Sequence, residues 1–214
     1  MLGATGAVGE SVVQELKKHS KVNRITLLGR NISPDIKEDY IQQEIIDILD
    51  TDFYKAFLQG HQIAICTLGI GEASKAKKED FIRIDKLAVI DFAKECKKAG
   101  IRHFELLGAV GSNANSSSLY FRTKGELVNE LKALKFERLS IFQPSLIQTP
   151  TNRYGFSQAV ALFVFPYLKP ILSGRLRKFR GIPVEQLGKA IAVNLFNNNE
   201  GFEILHWDEF NNIT

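Results

Sequence analysis

The sequence is poor in cysteine. Its 214 residues contain two, Cys66 and Cys96, which lie far apart in apolar stretches. Two isolated cysteines exclude a disulfide framework and show no spacing typical of a metal cluster. We therefore expect no metal site, a reducing environment and a cytoplasmic location.

Long apolar runs are also missing. The longest, residues 161–168, is interrupted by Pro166 and falls far short of the roughly 20 residues that cross a bilayer. The N-terminus lacks the basic start and apolar core of a signal peptide. A net charge of +4 is too mild to indicate nucleic acid. We expect neither a membrane nor a nucleic-acid partner; the basic run 175–180 either binds an anionic substrate or is a solvated surface.

What is present is the composition of a globular domain, with 44% hydrophobic and 24% charged residues. Short apolar runs alternate with helical periodicity along the chain, which predicts an α/β fold with a doubly wound parallel sheet. We expect one domain over residues 1–214, with 150–183 as a substrate-covering insertion. The predicted strands are 24–30, 40–48, 62–69, 101–107, 138–142 and 201–205, and the later helices are 52–59, 81–99, 120–134 and 184–195.

The strongest local pattern is the glycine triplet at the start of the chain, followed at once by helical periodicity. Such a loop lets bare backbone approach a pyrophosphate at a helix N-terminus. Met1 and Leu2 alone precede it, whereas a strand normally has about 5 or 6 residues, so we expect the first strand to be incomplete in this sequence. The predicted cofactor contacts here are Gly3, Thr5, Gly6, Ala7, Val8 and Gly9.

Further cofactor contacts are expected where strands end. Arg30 closes the strand that would meet the adenosine ribose, where an arginine can pair with a 2′-phosphate, so it favours NADP(H) over NAD(H); alternatively it is a solvated strand-end arginine. Other strand ends add the remaining predicted contacts, namely Asp47, Ile48, Thr67, Leu68, Gly69, Pro144 and Leu146.

Tyr120 and Lys124 are four residues apart, which places both side chains on one face of a helix. An ammonium beside a phenol favours the phenolate, so we expect the pKa of Tyr120 to be lowered and the residue to exchange a proton near neutral pH. Lys124 could also hold a cofactor ribose. The alternative is an ordinary amphipathic helix, but the position after the predicted strand 101–107 favours the catalytic interpretation.

Together the glycine loop, the Tyr120 and Lys124 pair and Pro144 resemble the short-chain dehydrogenase/reductase superfamily. Residues 120–126 and 142–145 are similar to its atypical branch, which includes the Tat-interacting-protein oxidoreductases and NmrA-like proteins. The resemblance covers nearly the whole chain. It implies a Rossmann-type fold that binds NADP(H), with Tyr120 as proton donor or acceptor and Lys124 as its helper.

One departure from that family concerns a serine usually found about 11 to 13 residues before the tyrosine, where it polarises the substrate carbonyl. Here those positions are Leu107, Gly108 and Ala109, and Ser112 is the nearest upstream hydroxyl. Two functions therefore lead: a reductase of small carbonyls or quinones, and a catalytically weak NADP(H) sensor acting through a protein partner. A nucleotide-sugar epimerase is a weaker third alternative, because the region after the predicted strand 138–142 is small for a separate sugar-binding domain. We expect a monomer or homodimer.

Overall fold

The computed structural model describes residues 1–70, 76–150 and 172–212. It contains six α-helices among those residues. In chain order the helices are α1 Ala7–Leu16, α2 Lys78–Ile82, α3 Ala88–Lys98, α4 Leu119–Ala133, α5 Val184–Asn194 and α6 Trp207–Asn212. The strands are β1 Ile25–Gly29, β2 Ile41–Ile45, β3 Ile63–Cys66, β4 His103–Leu107, β5 Arg138–Phe142, β6 Ile147–Gln148, β7 Ile182–Pro183 and β8 Gly201–Leu205.

The main sheet is wholly parallel and confirms the predicted fold class. β3, β4, β5 and β8 are hydrogen-bonded in that order, and β1 pairs with β2. Leu2 joins the two groups because it bridges Leu28 on one side and Cys66 on the other. The order across the sheet is therefore β2, β1, Leu2, β3, β4, β5, β8, with the carboxyl ends of all strands at one edge.

Helices cover both faces of the sheet. One core cluster lies between the sheet and helices α3 and α4, and includes Phe92, Leu127 and Ile141. The other lies under α1 and α5 and includes Val12 and Ile191. Strands buried on both faces explain the nearly continuous apolar runs in the sequence.

Two predicted helices differ in the structure. Residues 52–59, predicted as one helix, form two short 3₁₀ turns, Thr51–Phe53 and Lys55–Leu58. The predicted helix 81–99 begins earlier, at Lys78, and is interrupted by a π turn, Arg83–Leu87, before α3. Residues 151–171 of the predicted covering segment lie outside the described residues. In the part of the chain that is described, no helix has the length and apolar character needed to cross a membrane.

Candidate active site

The glycine loop lies at the carboxyl edge of the sheet and is too tight for side chains at two of its positions. Gly3 has a φ of 90°, and a Cβ there would lie 2.7 Å from the Leu68 backbone nitrogen. A Cβ on Gly9 would lie 2.1 Å from the Gly3 carbonyl oxygen. The Thr67 hydroxyl donates to that carbonyl at 2.9 Å, which fixes the loop to the end of β3.

The beginning of α1 fits a pyrophosphate. Gly6 caps the helix without a side-chain hydrogen bond to its first turn, and Thr5 and Gly6 are exposed, so the first-turn N–H groups face open space. Val8 and Gly9 are buried, so only their backbone atoms can make the predicted cofactor contacts. The loop thus has glycines at positions without room for a Cβ, and it leads into an open helix N-terminus. Both features fit a dinucleotide phosphate.

The residues predicted to meet the adenosine lie at the ends of β1 and β2. Arg30 and Asp47 are both exposed directly beyond these strands. The Asp47 carboxylate accepts the Leu49 backbone N–H at 2.9 Å. Ile48 is 7% exposed and belongs to the core, so its side chain packs inside the protein and leaves its backbone alone to meet a ligand.

Lys124 is held by an acid that the sequence reasoning missed. Its Nζ lies 2.7 Å from Asp85 Oδ1, and both residues are almost fully buried. Asp85 Oδ2 accepts the Ile70 backbone N–H at 2.7 Å, which also anchors the end of the β3 loop. A Cβ on Gly69 would lie 3.1 Å from Asp85 Oδ1 and 3.9 Å from Lys124 Nζ. Thus the predicted contact Gly69 and the predicted catalytic Lys124 meet at one place.

Asp85 is presented by the π turn, in which the Ala88 N–H bonds to the Arg83 carbonyl five residues back. Single π turns occur frequently at functional sites. A signal for Asp85 existed in the sequence, because it lies four residues after Phe81 on the apolar face that continues through Val89 and Phe92. An acid in the middle of a buried stripe requires a partner.

Tyr120 lies over the same site. Its ring stacks on Phe81 with centroids 5.6 Å apart. Burial raises the pKa of Tyr120, and the Asp85 carboxylate raises it further, while Lys124 acts in the opposite direction. The predicted lowering was therefore wrong, because desolvation outweighs the ammonium. A raised pKa keeps the phenol protonated at neutral pH, which is the form that donates a proton.

Ser112, the weakest catalytic candidate, is engaged locally. Its hydroxyl donates to the Ala109 carbonyl at 2.7 Å, which closes the turn at Gly111. The hydroxyl proton is thus used within the loop, and the structure gives no sign that it replaces the absent serine. Gly125 explains the packing of this loop on α4, because a Cβ there would lie 2.2 Å from the Ala114 nitrogen.

Beyond β5 the chain is fixed by backbone bonds. The Pro144 carbonyl accepts the Val110 N–H at 3.0 Å, and the Leu146 carbonyl accepts the Ile182 N–H at 2.9 Å. Pro144 is buried, and its predicted cofactor contact stays a prediction. The second bond ties the β6–β7 pair to the site edge.

The basic run 175–180 is partly paired. Arg177 lies 2.6 Å from Asp208, and both Arg177 and Arg180 lie over the Trp207 ring. These contacts give two of its cations a structural role on α6. They do not distinguish a solvated surface from a site for an anionic substrate.

A parallel α/β sheet, a glycine loop at a helix N-terminus and a half-buried Tyr beside a buried Lys and Asp pair at the same sheet edge define a dinucleotide-binding protein with an oxidoreductase-like fold. Residues 3–145 match the family model described as NAD(P)H-binding. The chain belongs to this NAD(P)H-binding family, and the resemblance to the atypical short-chain dehydrogenase/reductases is confirmed.

Curated relatives support the assignment. Protein HTATIP2 of Rattus norvegicus is 35% identical over 149 residues, which cover 69% of this chain and 61% of that protein. Protein FMP52-2, mitochondrial, of Scheffersomyces stipitis is 31% identical over 202 residues, covering 91% of this chain and 85% of that protein. FMP52 proteins of other fungi are also named mitochondrial. These names contradict the expected cytoplasmic location, which was wrong.

Solved structures share the fold at low identity. The triphenylmethane reductase of Citrobacter sp., complexed with NADP(H), has a TM-score of 0.67 and 14% identity over 96% of this chain and 67% of that chain. The UDP-glucuronic acid 4-epimerase of Bacillus cereus, in complex with NAD, has a TM-score of 0.70 and 14% identity over 96% of this chain and 77% of that chain. The fold therefore accommodates either dinucleotide, and it does not decide between them.

Proposed function

We propose that this chain is an NADP(H)-dependent oxidoreductase that reduces a small carbonyl or quinone-like acceptor. The observation that carries the proposal is the buried pair of Lys124 and Asp85, with the half-buried Tyr120 over it, beside the glycine loop. Arg30, exposed at the end of β1, supports NADP(H), because a guanidinium at this position can pair with a 2′-phosphate.

Each group has a distinct part in this mechanism. The glycine loop and the first turn of α1 would hold the pyrophosphate, and Lys124 would donate to the ribose hydroxyls. The bound dinucleotide supplies a hydride. Tyr120 would give the carbonyl oxygen of the acceptor the proton that this reduction requires. The resulting phenolate is stabilised by Lys124, and Asp85 keeps the ammonium in place.

The Tyr120→Phe variant tests the chemistry. We expect it to keep the ring stack on Phe81 and to lower kcat by about 10²–10⁴-fold, the usual contribution of a positioned acid. Turnover of NADPH with 9,10-phenanthrenequinone and a panel of aldehydes measures this. Unchanged turnover in the variant would rule out Tyr120 as the acid.

Cofactor choice has its own test. Calorimetric titrations with NADPH and NADH should show tighter binding of NADPH, and Arg30→Ala should remove that preference. Lys37→Ala is a control, because Lys37 is another cation beyond β1. Equal binding of both dinucleotides by the wild type would remove Arg30 from the site.

A second candidate function is a catalytically weak NADP(H) sensor that acts through a protein partner. It is favoured by one observation: Gly108 and Ala109 stand where the family has serine, and Ser112 is turned into its own loop. This function requires dinucleotide binding without turnover. Affinity capture with and without NADPH should then give different partners, and the same partners in both conditions would reject it.

A further inference from the structure

The place of the absent serine is bounded by two strand ends. The Gly108 N–H donates to the Phe142 carbonyl at 2.7 Å, and the Val110 N–H donates to the Pro144 carbonyl at 3.0 Å. Between these bonds, Gln143 faces Gly108 across the ladder. A Cβ on Gly108 would lie 3.7 Å from Gln143 Cγ. The side chain of Gln143 therefore borders the space that a serine at residue 108 would enter.

Gln143 lies on the face of the sheet that α4 covers. Side chains alternate between the faces of a strand, and Ile141, two residues earlier, packs in the cluster that contains Leu127 and Leu131 of α4. Phe142 lies in the opposite cluster, under α1 and α5. Gln143 thus shares the sheet face of α4, the helix that carries Tyr120 and Lys124.

Gln143 is a largely buried residue whose carboxamide is open to a partner. The residue is 6% exposed, and its backbone N–H is used in the bond to the Leu205 carbonyl. Within residues 1–70, 76–150 and 172–212, its side chain has no hydrogen-bond partner, unlike Gln43, whose carboxamide bonds to both Ser33 backbone groups. Buried amides are normally paired, because an unpaired one loses its hydration without compensation.

We propose that the Gln143 carboxamide donates a hydrogen bond to the acceptor's carbonyl oxygen and so takes the part of the missing serine hydroxyl. This inference rests on the proposed reductase function. In the step, hydride bonds to the carbonyl carbon, the π electrons pass to oxygen, and oxygen receives the Tyr120 proton. The Gln143 N–H keeps its own hydrogen and stabilises the negative charge while it develops on oxygen.

Kinetics of three variants test the assignment. Gln143→Ala should lower kcat for 9,10-phenanthrenequinone by on the order of 100-fold, the effect of losing one such donor, while the calorimetric Kd for NADPH stays unchanged. Gln62→Ala is the matched control, because Gln62 is exposed just before β3, at the amino edge of the sheet, and we expect full activity. The double variant Gln143→Ala with Gly108→Ser should regain most of the loss.

The rescue variant has room to fold. A Cβ at Gly108 would lie 3.2 Å from Ile141 Cγ2 and 3.4 Å from the Phe142 carbonyl oxygen. The neighbouring atoms would have to move by a few tenths of an ångström. Ala109→Ser in the Gln143→Ala background provides a second rescue that requires no new Cβ. Failure of both folded rescue variants to recover kcat would overturn the proposal.

A binding measurement that needs no turnover gives an independent answer. The chromophoric aldehyde 4-(dimethylamino)cinnamaldehyde absorbs at longer wavelength when its carbonyl oxygen accepts hydrogen bonds. With the protein and NADP⁺, which cannot deliver hydride, we expect a red shift that is reduced in Gln143→Ala and restored by the serine variants. An unshifted wild-type spectrum, or an equal shift in Gln143→Ala, would overturn the proposal.

These outcomes separate the inference from the proposed function. If Tyr120→Phe is inactive but Gln143→Ala turns over normally, Gln143 is not the donor and the reductase assignment stands. If Gln143→Ala instead weakens NADPH binding, the residue contacts the cofactor and the inference is wrong. A wild type that neither binds NADPH nor reduces the quinone overturns both.

Discussion

Two ion pairs with buried cations differ in how those cations are used. Arg138, on β5, directs Nε and Nη2 to Glu203, Nη1 to the carbonyls of Asn194 and Asn197, and Nη2 also to the Asn194 side chain. Its five N–H donors are therefore all engaged. Lys124 has three N–H donors, but among the described residues its Nζ has one partner, Asp85.

The difference separates a structural pair from a binding pair. A saturated guanidinium inside the fold has nothing left to offer a ligand, and it connects β5, β8 and α5. An ammonium that has unused N–H donors and lies where parallel strands end is available to bind a ligand. Both cations are buried and both pairs have a short N–O distance, so the number of unused N–H donors distinguishes the two pairs.

The largest effect is expected from Arg138→Ala. It leaves Glu203 without its cation and removes one of the two donors to the Asn194 side-chain oxygen, so we expect the free energy of unfolding to fall by about 3–5 kcal/mol. Urea unfolding measures this. Arg102→Ala is the control, since its pair with Glu137 is exposed and 3.9 Å long and should matter by less than about 1 kcal/mol. Equal losses in the two variants would contradict the comparison.

Asp85→Asn should have a smaller effect on stability and a specific effect on catalysis. Loss of the charge-assisted contact should lower the free energy of unfolding by roughly 1.5–3 kcal/mol. Because the Asp85 carboxylate raises the pKa of Tyr120, its removal should move the basic limb of the pH–rate profile to lower pH. A limb that stays in place, or moves to higher pH, would show that Asp85 does not act on the phenol.

Glu105, near Arg138, provides a pH test. Burial raises the pKa of Glu105 to about 8 from 4.5 and lowers the pKa of His103 to about 3 from 6.5. The raised Glu105 pKa means that its contribution is present below pH 4.5 and is lost as the pH rises toward 8. His103 contributes above pH 6.5 and loses its contribution as the pH falls toward 3. Between pH 6.5 and 8, Glu105 therefore acts without His103, and the Met1 amino group, whose pKa burial lowers from 8.0 to about 6, acts equally in the wild type and in a Glu105 variant.

In that window the wild type should lose up to about 1.4 kcal/mol of stability per pH unit through this group. Glu105→Gln keeps the acceptor for the Asn194 amide, which lies 2.7 Å from Oε1, and should remove this slope. Urea unfolding of both proteins at pH 6.5, 7.25 and 8 measures it. Parallel curves would mean that Glu105 is ionised throughout.

Lys86→Ala should have the smallest effect. Lys86 is next to Asp85 in the π turn, but it pairs with the half-exposed Glu126 and Glu130, each at 2.8 Å. We expect a loss of under about 1 kcal/mol and an unchanged Kd for NADPH. A large change in cofactor binding would extend the site to the outer surface of the π turn.

Much of the fold was predictable because short apolar runs with clear ends define strands. β5 and β8 have the predicted bounds, 138–142 and 201–205. The helix predicted at 52–59 was wrong because two short 3₁₀ turns bury Tyr54 and Leu58 at nearly helical spacing.

The site was predictable to a lesser degree. The spacing of Tyr120 and Lys124 places them on one face, but the sign of the Tyr120 pKa shift depends on burial and on Asp85, which is distant in sequence. Asp85 itself was hidden in an apolar stripe. Gln143 lies in the segment 142–145 that resembles the family, but the sequence assigned it no role, since that role depends on Gly108, which lies opposite it just after β4.

The π turn suggests how an acid at this position could arise in evolution. A π turn accommodates one residue more than an α-helical turn, so the helical segments on either side keep Phe81 and Phe92 in the core whether or not that residue is present. A single-residue insertion here can thus introduce an acid beside Lys124 at little cost to packing. Alignments of related chains should place a one-residue gap at residues 83–87 wherever the acid is missing.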